Sequence, residues 1–211
     1  MSIYRLILCL LVFFTGMHAE DLRFLSSNNQ IDTTYRVDGK VFVWGVQENA
    51  GRIMGGFNRV AGRIEAGQGL MVSDAYGKVA VSLDSWESEG KDLDASIQKL
   101  LFAGKQFSNL VIDIENVSGL FHQEIAIGEQ GEGVLSATVS VDSEKQNLKI
   151  PVRFLRVSEV MWVLEADRLF DLDFKKMGFE SEMRSLAQEL QSRLSRQVKI
   201  FFRFYLKKAK V

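Results

Sequence analysis

The stretch from Lys78 to Glu115, KVAVSLDSWESEGKDLDASIQKLLFAGKQFSNLVIDIE, changes its hydrophobic period twice. At its start, Val79, Val81 and Leu83 alternate with small or polar residues, which is the pattern of a half-buried strand. The spacing then becomes helical, and alternation returns before Glu115. A short helix therefore interrupts a run of strands. Because a helix cannot pair with strands, it must cover part of the sheet that they form.

The interrupting helix is predicted over residues 93–103. Leu93, Ile97 and Leu101 recur at helical spacing, and Gly104 is suited to end the helix. The strand that follows has its alternate apolar residues at Leu110, Ile112 and Ile114.

The rest of the chain consists mostly of further strand patterns. They are predicted at residues 35–46, 52–65, 123–127, 134–142, 148–157, 160–174 (one strand or a pair) and 198–206. A second amphipathic helix is predicted at 180–194, immediately before the last strand. About eight strands without a strand–helix–strand alternation favour an antiparallel sheet, which forms either a barrel or a sandwich.

The composition is that of an ordinary globular protein. The 211 residues are 46% hydrophobic and 25% charged, with a net charge of −1. A nucleic-acid-binding protein needs a concentrated basic face, and the only basic run, Lys207 to Lys210, is better explained as a solvated tail. We therefore expect no nucleic-acid partner.

Residues 1–19 are predicted to be a secretory signal peptide. Arg5 precedes the apolar run Leu6–Phe14, and Ala19 supplies a small residue at the expected cleavage position. Residues 20–211 would then form a single domain. The only cysteine, Cys9, would be lost with the signal, so we expect a periplasmic protein without disulfides and without a stable membrane span.

Residues that could support catalysis are scarce. His122 is the one histidine after residue 19, and no thiol or serine elbow accompanies it. The acidic run between Asp84 and Asp94 is explained by a solvated turn and helix caps. The sequence predicts neither an enzyme nor a metal site.

Short motifs along the chain resemble those of the YceI family of periplasmic lipid-binding proteins. Gly56-Phe57-Asn58, followed by Gly62 and Ile64, is similar to the family's glycine-rich bend between early strands. The strand ending near Asp84, the helix after Asp92 and the link through Phe107 follow the family's order. The hairpin Ala137–Phe154 and the late strand Asp167–Phe174 also resemble family segments.

The resemblance implies a mainly β fold: an eight-stranded antiparallel lipocalin-like barrel with a short helix near 93–103 and a helix near 180–194. It further implies a non-catalytic protein whose apolar pore holds a polyisoprenoid chain, such as a quinone tail or a polyprenyl phosphate. No other cofactor is expected, and a homodimer is a possible assembly. Each buried methylene contributes about 0.8 kcal/mol, so a long prenyl chain supplies a large driving force.

Candidate lipid-binding residues are the alternate apolar side chains of the predicted strands, together with aromatic residues near the mouth or under the helix. They are Trp44, Val79, Val81, Leu83, Trp86, Phe102, Ile112, Ile114, Val139, Val141, Ile150, Val152, Phe154 and Trp162. The alternative hypothesis is a barrel whose core is filled by these side chains and which acts as a protein-interaction module. In the lipid-binding hypothesis, the helix at 93–103 is a lid at the pore mouth.

Overall fold

The computed structural model describes residues 33–47, 51–66, 75–103, 109–119 and 125–209. All of them belong to one compact unit, residues 31–211. The predicted signal peptide at 1–19, Cys9 and His122 lie outside the described residues.

Eleven strands and two helices follow one another along the described chain. The strands are β1 Thr33–Gln47, β2 Gly51–Phe57, β3 Val60–Ala66, β4 Tyr76–Ser82, β5 Trp86–Ser88, β6 Asn109–Gly119, β7 Gln130–Val141, β8 Glu144–Ser158, β9 Met161–Ala166, β10 Phe170–Asp173 and β11 Gln197–Lys208. Helix α1 is Lys91–Ile97, continued by the wider π-helical turn Gln98–Phe102, and helix α2 is Glu180–Glu189.

Eight of these strands close into an antiparallel barrel. The order around the barrel is β1, β3, β4, β6, β7, β8, β9 and β11, and β11 pairs with β1 to close it. This confirms the predicted eight-stranded barrel. Such a barrel has an interior just wide enough for side chains or one small ligand.

Each of the three remaining strands is a neighbour in sequence of a barrel strand, from which a bend separates it. Strand β2 precedes β3, β5 follows β4, and β10 follows β9. Strands β2 and β3 both pair with β1, one along each half of its length. In the same way, β5 pairs with β2 above the β3–β4 ladder, and β10 pairs with β11 above the β9–β11 ladder. We call the end of the barrel that carries β2, β5 and β10 the helix end, and the end near Thr33 and Lys208 the far end.

One buried hydroxyl ties two of these bends together. Ser85, in the short 3₁₀ turn Leu83–Ser85 between β4 and β5, accepts a hydrogen bond from the Arg59 N–H at 3.1 Å. Its own hydroxyl donates to the Ser82 carbonyl at 2.6 Å. The Asn58 N–H also donates to the Ser85 carbonyl. The bend between β2 and β3 and the bend between β4 and β5 therefore lie next to each other.

The two helices leave the barrel at the helix end, α1 after β5 and α2 after β10. The prediction for 93–103 is confirmed in place, with the helix starting at Lys91. Helix α2 is shorter than predicted, because the chain turns after Glu189 and Gln191 adopts a φ of 48°. The predicted strand at 123–127 is wrong for its described part, since residues 125–129 form a turn that is fixed to Arg156 by backbone hydrogen bonds.

Candidate functional site

An apolar cavity lies inside the barrel, between its middle and the helix end. Every residue that lines it is valine, leucine, isoleucine or phenylalanine. Its volume is about 50 Å³, measured over the positions that the centre of a water molecule can take. A volume of this size holds a few water-sized groups, and without polar partners such a space stays dry.

The cavity wall comes from alternate residues of the barrel strands and from the segments that cover the helix end. The lining residues are Val41, Val43, Phe57, Val81, Leu83, Phe102, Leu110, Ile112, Leu135, Val139, Ile150, Phe170, Leu172, Phe174, Phe179, Ile200, Phe202 and Phe204.

Five aromatic rings form a cluster at the helix end, and all of them except Trp86 line the cavity. The Phe102 ring from α1 lies 5.6 Å from Phe57 and 6.4 Å from Trp86, measured between ring centroids. It also meets Phe179 edge to face at 6.1 Å, and Phe179 lies 5.1 Å from Phe174. Edge-to-face and tilted pairs at these distances are favourable beyond their buried area. The rings thus join helix α1, the segment before α2 and the barrel wall.

A second apolar space, which we call the chamber, lies outside this aromatic cluster and beneath the helices. It measures about 40 Å³ by the same definition. Val43, Phe102 and Phe174 line both the chamber and the cavity, and Ile97 and Leu101 of α1 form part of its roof. The cavity and the chamber therefore share part of their walls, including the side chains of Phe102 and Phe174.

Helix α1 is fastened to the barrel by one polar contact as well as by its apolar face. Ile97 and Leu101 are buried, while Leu93 and Leu100 are half-buried against the core. The Gln98 side-chain amide donates to the Leu83 carbonyl at 3.1 Å. A single neutral hydrogen bond contributes only about 1 kcal/mol, so apolar packing holds α1 in place.

The structure divides the predicted lipid-binding residues into four groups. Val81, Leu83, Phe102, Ile112, Val139 and Ile150 line the cavity, and Trp86 lines the chamber. Val79, Ile114, Val141, Val152, Phe154 and Trp162 are buried without lining either space. The fourth group is Trp44 alone.

The prediction that Trp44 binds lipid inside the barrel needs a correction, because its side chain faces away from the barrel interior. It is half-exposed and lines a groove on the outer surface, while its neighbours Val41 and Val43 point inward. Strand β1 is apolar on both faces here, since Phe42 also lies outside, 6.1 Å from Trp44. Alternation alone could not show which face is the inner one.

Sequence reasoning did not assign to the site the aromatic residues of the last strand and of the segment before α2. Phe202 and Phe204 belong to the in-phase face of β11, and their rings stack at 4.5 Å. Their alternation was visible in the sequence. Phe174 continues the alternation of Phe170 and Leu172, and all three line the cavity. Phe179 lies outside any strand or helix pattern, so no comparable signal marked it.

Polar groups occupy the interior near the far end instead. The Arg156 guanidinium lies 5.6 Å from the centroid of the Trp162 ring and donates to the Ile125 carbonyl at 2.9 Å. Burial raises the pKa of the nearby Tyr35 hydroxyl, an effect that the positive charge of Arg156 opposes. The two ends of the barrel therefore differ: aromatic and dry beneath the helices, cationic and hydrogen-bonded at the other end.

The described ranges are residues 33–47, 51–66, 75–103, 109–119 and 125–209. Those ranges contain no group of three or more histidine, cysteine, aspartate or glutamate side chains placed to hold a metal ion. Neither described helix is long and apolar enough to cross a membrane.

Comparison with known proteins identifies structural neighbours. A polyisoprenoid binding domain from Saccharophagus degradans implicated in plant cell wall breakdown superposes with a TM-score of 0.70 at 13% identity, over 84% of this chain and 100% of that chain. BcnA of Burkholderia cenocepacia gives 0.59 at 10% identity, over 79% and 95%. The YCEI protein of Campylobacter jejuni gives 0.53 at 10% identity, over 74% and 85%.

No family model and no curated protein sequence matches the chain. At identities of 10–13%, the structural likeness establishes a shared fold. The resemblance noted in the short motifs is confirmed at that level. The chain has the YceI-like barrel fold.

Proposed function

We propose that this protein is a non-catalytic lipid-binding protein that holds the apolar chain of an isoprenoid lipid inside the barrel. The observation that carries the proposal is the cavity, which is lined entirely by apolar side chains and covered by two helices. The solved neighbour described as a polyisoprenoid binding domain shares the fold, and this supports the proposal. The identity of the lipid as a quinone or a polyprenyl phosphate belongs to the same proposal.

Binding a whole lipid tail requires the helix end to open. The cavity of about 50 Å³ is too small for several isoprene units, and the far half of the interior is filled by side chains such as Val79, Phe154 and Leu206. The Phe102 and Phe174 side chains lie in the wall that the cavity shares with the chamber. Movement of Phe102 and Phe174 would therefore join the two spaces, with α1 acting as the lid.

The direct test is extraction of the purified protein with organic solvent, followed by mass spectrometry. Protein expressed with its own leader and exposed to membranes is expected to yield an isoprenoid lipid. Protein without lipid is expected to take up an added prenyl quinone. Recovery of no lipid, together with no uptake of the quinone, would contradict the proposal.

Paired cavity variants locate the ligand. Val81→Ile and Val139→Ile each add a methylene to the cavity wall, whereas Val152→Ile adds one at a buried position outside it. Overpacking costs about 1–3 kcal/mol at any of these sites. Only the first two variants are expected to weaken quinone uptake by more than their effect on stability explains. Equal uptake by all three variants would place the lipid elsewhere.

A second candidate function is a barrel with a filled core that works by binding another protein. The small cavity favours it, as does the apolar patch formed on the outer surface by Phe42, Trp44, Met54 and Phe201. In this case the wild-type chain would take up no prenyl quinone, and Phe42→Ser combined with Met54→Ser would abolish binding of the partner protein. Lipid uptake that survives these changes supports the first candidate.

Export through a cleaved signal at residues 1–19 and residence in the periplasm are part of the proposal. An isoprenoid carrier in that compartment would act between membranes. Fractionation of cells that produce the full chain, with N-terminal sequencing of the product, tests the location and the cleavage after Ala19. A homodimer, also proposed, is tested by sedimentation of the same product.

A further inference from the structure

A basic groove runs along the outer side of helix α2, at the helix end of the barrel. It is an open depression of about 320 Å³. Its four basic residues are Lys175, Arg184, Arg193 and Arg196, and its one acidic residue is Glu180. The groove is thus strongly positive on a protein whose net charge is −1.

Two of these cations are not engaged in ion pairs. Lys175 pairs with Glu180 at 3.3 Å, which leaves the acid already partnered. Over the part of the chain that the structure describes, neither Arg184 nor Arg196 forms an ion pair, and both are exposed. Guanidinium groups bind phosphate and carboxylate oxygens with paired hydrogen bonds. The groove therefore has unused capacity for an anion.

The groove adjoins the apolar spaces inside the barrel. Met183 and Leu194 line both the groove and the chamber. Phe174 lines the groove, the chamber and the cavity. A molecule that extends from the groove past Phe174 would pass from a cationic surface into an apolar interior.

We infer that this groove binds the anionic headgroup, a phosphate or a carboxylate, of the ligand whose apolar tail occupies the cavity. The inference rests on the proposed lipid-binding function and narrows it to an anionic amphiphile that enters beneath α2. An uncharged prenyl quinone would gain nothing from Arg184 and Arg196. A lipid with the same tail and a charged headgroup would gain charge-assisted hydrogen bonds to both.

The test compares two ligands that share one tail. Farnesyl monophosphate and farnesol are titrated into the wild-type chain and into the double variant Arg184→Glu/Arg196→Glu. The wild-type chain is expected to bind the phosphate about tenfold or more tightly than the alcohol, a preference worth about 1.4 kcal/mol or more. The variant is expected to lose this preference and to keep its affinity for farnesol.

The control variant is Lys207→Glu/Lys208→Glu, which makes the same change in charge at exposed positions of the far end. It is expected to keep the wild-type preference. A preference unchanged in the groove variant, or lost equally in both variants, would overturn the inference and leave the proposed function intact. Failure of the wild-type chain to bind either ligand would overturn both.

Two further titrations exclude other uses of the groove. Inorganic phosphate alone is expected to bind far more weakly than farnesyl monophosphate, because it lacks the tail; equal affinity would make the groove an independent phosphate site. Vesicles of anionic phospholipid test a membrane-docking role. Loss of vesicle binding in the groove variant with no change in its affinity for farnesyl monophosphate would assign the groove to a membrane surface and overturn the inference.

Discussion

The rings of Phe102 and Phe179 meet edge to face, with centroids 6.1 Å apart and an interplanar angle of 87°. Phe102 ends the π-helical turn after α1, and Phe179 immediately precedes α2. Through this pair, the two helical segments that cover the barrel meet directly above the cavity. A change at either ring should therefore affect both the stability of the cover and the access of a ligand.

Replacing Phe102 with alanine is expected to lower the free energy of unfolding by about 3–5 kcal/mol, because it removes a buried ring and leaves a void. Urea unfolding measures this loss. Phe42→Ala is the matched control, since Phe42 is 37% exposed on the outer surface, and it should cost about 1 kcal/mol or less. Similar losses in the free energy of unfolding of the two variants would contradict the stabilising role given to Phe102 in the helical cover.

The tryptophans offer reporters at different positions. Trp86 lines the chamber, whereas Trp162 is buried near the far end beside Arg156. We expect a prenyl ligand to change the fluorescence of the variant that keeps only Trp86, Trp44→Phe/Trp162→Phe. The variant that keeps only Trp162, Trp44→Phe/Trp86→Phe, should not respond. A response from Trp162 alone would place the ligand at the far end of the barrel.

Gly62 permits the close approach of β3 and β4. A Cβ atom there would lie 2.4 Å from the Lys78 carbonyl oxygen and 2.8 Å from the Val79 Cα, both of which are backbone atoms. Gly62→Ala is therefore expected to cost about 1–3 kcal/mol in urea unfolding. In Gly45→Ala the nearest atom would be 3.7 Å away, so this control should be neutral or slightly stabilising. Equal stability of both variants would disprove the steric argument.

Stability at alkaline pH should depend on Tyr35. Burial raises its pKa above the ordinary value of 10.0, so the folded barrel keeps this proton to a higher pH than the unfolded chain does. The contribution of the protonated Tyr35 to the free energy of unfolding is complete below about pH 10. It is lost as the pH rises through the pKa of Tyr35 in the folded protein. Tyr35→Phe should therefore reduce the fall in the urea midpoint between about pH 9 and pH 11.

The comparison variant for that titration is Tyr76→Phe. The Tyr76 hydroxyl donates to the Glu65 carboxylate at 2.7 Å, but its side chain is 42% exposed. Partial burial and the hydrogen bond to Glu65 raise the pKa of Tyr76 as well. Because solvent screens this exposed group, Tyr76→Phe should reduce the alkaline fall less than Tyr35→Phe does. A larger effect at Tyr76 than at Tyr35 would contradict the role given to burial.

Alternation predicted the inner face wherever only one face of a strand is apolar. Val81, Ile112 and Val139 lie on such strands and do line the cavity. The same reasoning failed at Trp44, because β1 carries large apolar residues on both faces. A two-residue period shows which residues of a strand share a face. Only the closure of the barrel determines which of the two faces is inside.

The cover of the cavity was only partly predictable. Helical spacing placed α1 between two strands, and closure of those strands into a barrel then required it to lie at one end. Phe179 comes from irregular backbone, where side-chain direction depends on tertiary contacts. The glycine-rich motif at residues 56–64 indicated the bend between β2 and β3, and residues 160–174 were predicted as one strand or a pair. The contact between Asn58 and Ser85 at the bend left no local signal, because it joins distant segments. Cleavage after residue 19 stays a prediction.

The two short strands at the helix end limit what happens when the cover opens. Strands β5 and β10 are the edges of the sheet, and each has one paired neighbour. They are three and four residues long, and they carry the acidic side chains of Glu87, Asp171 and Asp173. Long, flat, uncharged edges are the ones that template aggregation between chains. A barrel that lifted its helices to admit a ligand would therefore expose little backbone to which a strand of another copy could add, so the proposed opening would not promote aggregation.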